Sequence, residues 1–99
     1  LPKSFDQDPR NQQLVEAFKA KKQDPSGPFV FPSYAAVQVM AEGIEKAGST
    51  DTDKVAEALR SNTFDTPTGQ LSFDEKGDLK DFNFVVYEWH QDGSKTEAK

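Results

Sequence analysis

The residues able to do chemistry in this chain are few and scattered. Asp74, Glu75 and Asp78 crowd into "DEKGD". Neighbouring carboxylates are the raw material of acid–base work and of calcium loops. Here a lysine, Lys76, stands in the middle, the rest of a liganding pattern is missing, and Gly77 suits the positive φ of a tight turn. The expectation is a turn. His90 is the single histidine, and one histidine cannot build a multi-histidine metal site. It reads as a surface or packing residue. Ser33, Ser49, Ser61, Ser72 and Ser94 have no G-x-S-x-G context, so nothing supports a serine nucleophile. The absence of cysteine removes disulfides, thiolate metal sites and cysteine nucleophiles. No catalytic group, cofactor or metal is expected.

Phe31 stands apart. It closes the short apolar run Phe29-Val30-Phe31, read as a strand end, and precedes Pro32 and a helix start. In open α/β sheets, ligands bind just outside the carboxyl ends of strands. Simple core packing is the competing role for the same ring.

The elements that must position these residues follow from periodicity. "DPRNQQLVEAFKAKK" opens with Asp8 as a cap and Pro9 at the first helical position. Leu14, Val15 and Phe18 share one face, and Lys19, Lys21 and Lys22 close the last turn, where cations suit the helix dipole. "QDPSGP" is a turn. A second helix begins near Pro32 or Ser33, with Tyr34, Val37, Met40, Ala41 and Ile44 as its apolar stripe, expected in the core. Gly43 sits inside it at a cost of about 1 kcal/mol relative to alanine, which implies a close backbone approach to a neighbour. Gly48 suits the C′ position. A third, short helix follows in "TDTDKVAEALRSN", capped by Thr50, Asp51 or Asp53, with Val55, Ala56 and Leu59 on its buried side.

After the loop "FDTPTG" the period changes from 3.6 to 2. Leu71 and Phe73 alternate with polar residues up to the 74–78 turn. "FNFVVYEWH", residues 82–90, is the main strand, "DGS" closes it, and "KTEAK" is a polar tail. That strand is apolar on both faces, with Phe82, Phe84 and Val86 one way and Val85, Tyr87 and Trp89 the other. Such a strand needs cover on both sides, and the chain supplies at most two clear partner strands.

Composition bounds the rest. Ninety-nine residues make one small domain, and 34% hydrophobic against 29% charged leaves little for a core. The net charge of −5 argues against nucleic acid, which needs clustered Lys and Arg. No apolar run approaches the ~20 residues of a membrane span. The start "LPKSFDQDP" carries no initiator methionine or signal peptide and reads as a mature, cleaved or cut chain. On the residues alone two function classes stay open: a segment of a larger α/β protein, and a small self-standing α+β protein-interaction module.

"AFKAKKQDPSGPFVFPSYAAVQVMAEGIEKAG" and "DTPTGQLSFDEKGDLKDFNFVVYEWHQDGS" add to this. They resemble the C-terminal part of the bacterial periplasmic branched-chain amino acid binding proteins, the solute receptors of ABC importers. "KKQDPSG", "YAAVQ", "FDEKGDLK" and "YEWH" are the most specific pieces, and the resemblance spans essentially the whole chain. It implies an α/β fold class: a C-terminal fragment of the two-lobed type I periplasmic binding protein fold, three helices followed by strands. Residues 1–80 would belong to the N-terminal lobe. Residues 81–99 would supply a hinge crossing and the last strand and hairpin of the C-terminal lobe. Lys80, Asp81, Phe82, Asn83 and Phe84 would be the hinge. Phe31, where relatives often have tryptophan, would border the cleft and touch the ligand side chain. The implied function is non-enzymatic and periplasmic: capture of leucine, isoleucine or valine and delivery to the importer's membrane permease. The remaining N-terminal part of the parent chain would be an obligatory partner and would hold the anchors for the ligand's ammonium and carboxylate.

Overall fold

The structure, a computed structural model, describes residues 4–81 and 84–98. Two short 3-10 turns, Phe5–Gln7 and Pro9–Asn11, lead into α1 (Gln12–Ala20). Then come α2 (Val30–Ala47), α3 (Thr52–Ser61), the strand pair β1 (Phe64–Thr66) and β2 (Gly69–Leu71), and a second pair, β3 (Tyr87–Trp89) and β4 (Lys95–Glu97). Both pairs are antiparallel and two-stranded. Helices followed by short strands give the expected α/β class.

The local signals translate into local geometry. The Asp8 carboxylate accepts from the Arg10 N–H at 3.0 Å, with Pro9 in the first position, although the turn it caps is 3-10 and α1 proper begins at Gln12. Asp51 is the cap chosen for α3, accepting from the Lys54 N–H at 3.1 Å. Gly48 ends α2 in the left-handed region at φ 61°. α1 ends differently. Gln23 N–H donates to Phe18 O and Lys22 N–H to Lys19 O, both at 2.9 Å, with Lys22 at φ 57°. That is a Schellman closure with lysine in the place glycine usually takes.

α2 differs from expectation at both its start and its face. Phe31 belongs to its first turn, not to a strand end: Ser33 N–H already donates to Phe29 O at 3.0 Å. Pro32 is tolerated there because the first-turn N–H groups have no helical acceptor to lose. The buried side is Phe31, Ala35, Val39 and Gly43. The stripe expected in the core faces outward, with Tyr34 45%, Val37 73%, Met40 50% and Ile44 36% exposed. A helix apolar nearly all round carries no internal mark of which side meets a given neighbour. The side that carries Gly43 is the one that meets α3, at Leu59 and Val55.

Gly43 marks that approach. A Cβ added to it would lie 2.6 Å from Leu59 Cδ2 and 3.2 Å from Leu59 Cγ. Gly43→Ala gains about 1 kcal/mol of helix propensity, but overpacking a fitted contact costs about 1–3 kcal/mol. We expect a net loss of about 1 kcal/mol by urea denaturation, cancelled in a Leu59→Ala background. A more stable single variant would show that Leu59 swings clear without cost.

The core is small. Val15, Phe31, Ala35, Val39, Val55, Ala58 and Phe64 are its buried apolar members. Phe18 meets Phe31 with ring centroids 6.2 Å apart. Buried Asn11 ties the chain start to the first hairpin, donating to Phe5 O at 3.0 Å and Pro67 O at 2.8 Å. Gln38 ties α2 to β1 by donating to Asp65 O at 2.8 Å.

The strands depart most from expectation. "FDTPTG" is not a loop throughout: Phe64–Thr66 pairs with Gly69–Leu71, and the Thr66 hydroxyl donates to Gly69 O at 2.8 Å across the turn. The 74–78 turn forms as expected, flanked by the isolated bridge Phe73↔Leu79. Among the described residues of the apolar run, the strand is Tyr87–Trp89, with Val86 O accepting one further ladder bond from Ala98 N–H at 2.7 Å. Its partner Lys95–Glu97 lies in what reads as a polar tail, with Trp89 opposite Lys95. Trp89 is 64% exposed, Phe84 70% and Val86 73%. A two-stranded ribbon has no layer behind it to bury either face.

A well-packed chain of this length has a radius of gyration of about 13 Å, and this one has 15.9 Å with extents of 50 × 32 × 19 Å. A thin core, an elongated shape and two uncovered apolar surfaces weigh against a self-standing module.

Candidate functional site

The acidic cluster is a turn. Asp74 Oδ1 accepts from the N–H groups of Lys76 at 2.9 Å and Asp78 at 3.0 Å, so it serves its own backbone. Lys76 pairs with Asp78 at 3.2 Å on the exposed surface. Among the described residues no group of acidic or histidine side chains could hold a metal ion. His90 is exposed, with Nε2 2.8 Å from Thr96 Oγ1 across the second hairpin. Resolved pKa shifts belong to caps and turns. The Ser94 hydroxyl and backbone N–H hold the Asp92 carboxyl below its usual range. The backbone N–H and hydroxyl of Ser26 do the same for Asp24. The Asp8 carboxylate raises the Arg10 guanidinium.

Phe31 is 2% exposed and faces two ways. Inward it meets Phe18. Outward it lines a narrow cleft with Ser4, Phe5, Asp6, Gly27 and Lys95. The free space there is ≈ 20 Å³, room for about one water and none for an amino acid. The cleft mixes charge, hydroxyls and the rings of Phe5 and Phe31. Its distant members, Ser4 and Lys95, were not legible as neighbours of Phe31, because no periodicity links a chain start, a helix start and a tail.

Of the expected hinge residues, Phe82 and Asn83 lie outside the described residues. Lys80 and Asp81 are exposed in the turn that leaves the Phe73↔Leu79 bridge, where Lys80 N–H donates to Ser72 O at 3.0 Å. Phe84 is irregular and exposed.

A second concavity is open and apolar: a shallow groove of ≈ 590 Å³ between α1 and the outer face of α2, lined by Phe18, Val30, Ser33, Tyr34, Val37, Gln38 and Ala41. It has no charged group to meet an ammonium or a carboxylate, so it suits an apolar layer better than a zwitterion. No helix among the described residues is long and apolar enough to cross a membrane.

Comparison with known proteins gives this arrangement its context. A leucine-, isoleucine-, valine-, threonine- and alanine-binding protein of Pseudomonas aeruginosa is 68% identical over 99 residues, which is 100% of this chain and 26% of that protein. The leucine-specific-binding protein of Salmonella typhimurium is 50% identical over 99 residues, covering 27% of its own length. The Leu/Ile/Val-binding protein of Escherichia coli is 50% identical over 98 residues, covering 26%. The chain thus spans about a quarter of the length of these curated relatives. The family model described as periplasmic binding protein matches residues 3–94, and the chain belongs to that family.

Proposed function

We propose that this chain is part of a periplasmic solute receptor that captures branched-chain amino acids and delivers them to the membrane permease of an ABC importer. The observation that carries the reading is similarity along the whole chain to binding proteins named for leucine, isoleucine and valine. The same reading gives a use to the uncovered surfaces. The outer face of α2 packs against layers supplied by the rest of the receptor, and the β3–β4 ribbon adds to a sheet supplied the same way. Residues 1–80 belong to one lobe and residues 81–99 to the crossing and the end of the other. Lys80, Asp81, Phe82, Asn83 and Phe84 form the hinge, since hinges are a few residues that absorb dihedral change. Phe31, at the cleft between the chain start and Lys95, is the residue of this chain assigned to the ligand's side chain. The receptor binds and releases its solute without chemical change.

An amino acid is a zwitterion, and burying its charges unpaired costs several kcal/mol each. The cleft at Phe31 has no room for it, and the groove on α2 has no charge for it. Titration calorimetry of the 99-residue chain with leucine, isoleucine and valine should therefore show no binding. The same segment within the longer receptor should bind at least one of them at micromolar affinity or better, ~−8 kcal/mol. Micromolar binding by the chain alone, or none of the three bound by the receptor, overturns the reading.

A further inference from the structure

We propose that the connection between α1 and α2 carries a docking tip, Lys22 and Phe29 with Lys19 and Lys21 beside them, which seats on an acidic protein surface holding an apolar pocket, on the periplasmic side of the importer's permease. The proposal rests on the receptor reading above. It starts from two residues that break local rules at the two ends of one connection. Lys22 holds φ 57° where α1 closes, a conformation that strains a residue with a Cβ and suits glycine. Phe29 is the N-cap residue of α2 and gives it no side-chain cap, where serine, threonine, aspartate or asparagine would supply one. Packing explains neither choice, because the Phe29 ring is 70% exposed and Lys22 is exposed as well. Positions where local preference and structure disagree concentrate at functional sites.

The tip is held in shape before it meets anything. Pro25, in the middle of the connection, is buried. The Asp24 carboxylate accepts from the Ser26 N–H and from the Ser26 hydroxyl, both at 2.9 Å, and Val30 N–H donates to Gly27 O at 3.2 Å. A connection already ordered loses little entropy on docking. Charge then points to the partner. Lys19, Lys21 and Lys22 place three of the chain's twelve lysines and arginines within four residues, in a chain of net charge −5. All three are exposed, and among the described residues no carboxylate pairs with them. The helix dipole acts within the last turn, where Lys19 already lies, so Lys21 and Lys22 go beyond what it uses. The complementary surface is acidic around a pocket for one aromatic ring, since such rings anchor interfaces and charges steer the encounter. An anionic lipid surface fits less well, because one ring is a weak anchor in lipid, whereas a turn of fixed shape can be matched by a protein pocket.

The test uses the full-length receptor carrying Phe29→Ser or Lys22→Gly, with the importer reconstituted in membranes. Each change restores a local rule, so both variants should fold more firmly. Urea denaturation should show the folded-to-unfolded ratio raised about two- to tenfold by Phe29→Ser and about two- to fivefold by Lys22→Gly. Leucine affinity by calorimetry should be unchanged in both. Docking should suffer instead. Receptor-stimulated ATP hydrolysis should need about tenfold more receptor, or more, to reach half its maximum with Phe29→Ser. With Lys22→Gly it should need about two- to fivefold more in dilute salt, a difference that shrinks as salt is raised. A loss of stability in Phe29→Ser would mean that the ring is buried in the receptor, and it overturns the tip. Half-saturation unchanged in both variants overturns it while leaving the receptor reading intact. Binding of the receptor to phosphatidylglycerol vesicles, abolished by Phe29→Ser, would make the partner a lipid surface and also overturns the proposal. An unaltered receptor that stimulates no hydrolysis removes the delivery reading and the tip with it.

Discussion

Phe31→Ala should lower the unfolding free energy of the receptor by about 3–5 kcal/mol, the usual range for emptying a buried phenylalanine site. The ring is 2% exposed and leans on Phe18 at the start of α2. Its removal takes apolar surface out of a core that has few other large members: among the described residues, Phe64 is the other large side chain so completely buried. The surroundings cannot collapse easily, because α1 and α2 are joined through the 23–28 turn and α2 is pinned to β1 by Gln38. A domain is stable by only about 5–15 kcal/mol, so the loss is a large part of the whole. Urea denaturation without ligand should show a lower midpoint at unchanged slope. Titration with leucine at a temperature where the variant is still folded should show weaker binding as well, since the same ring is assigned to the cleft. A stability loss below about 1 kcal/mol would mean that Phe31 is not a core residue. A full stability loss with unaltered leucine affinity would leave it a core residue only.

Val37→Asp is the second large effect, and it separates two descriptions of one surface. Val37 is 73% exposed in this chain, on the outer face of α2 with Tyr34, Met40 and Ile44. If water covers that face in the receptor, the substitution exchanges two residues of similar helix propensity and changes stability by no more than about 0.5 kcal/mol. If an apolar layer covers it, an aspartate there is a buried charge without a partner, and the cost is several kcal/mol. We expect the second outcome in the receptor, as a large fall in the denaturation midpoint or loss of soluble protein. Val37→Ala, which removes bulk without adding charge, should cost less and keep the receptor foldable for measurement. Glu45→Ala, on the same helix at an exposed position, should stay within about 0.5 kcal/mol. Equal, small effects of all three would place the outer face of α2 in water and remove the covering layer.

The sequence by itself determined those features whose causes lie within a few residues. Asp8-Pro9, Asp51 and Gly48 mark helix ends because each meets backbone groups of its own turn. "DEKGD" and "DGS" are turns because Asp74 and Asp92 accept from backbone N–H groups two or four residues on, while Gly77 and Gly93 take positive φ. Gly43 announced its close neighbour because nothing else offsets its cost inside a helix, though it could not name Leu59. The residue pattern also carried the family.

Only the tertiary structure decided which face of α2 is buried, because periodicity locates apolar residues but not the neighbour that comes to meet them. It also decided that Phe31 lies in the first turn of a helix and that Phe64–Thr66 and Lys95–Glu97 pair as strands. Three-residue strands carry too little alternation to be read, and their stability comes from the partner across the ladder. Ser4, Lys95 and Phe31 meet for the same reason. Contacts between distant segments are selected by the packing of whole elements, and no spacing within either segment records them.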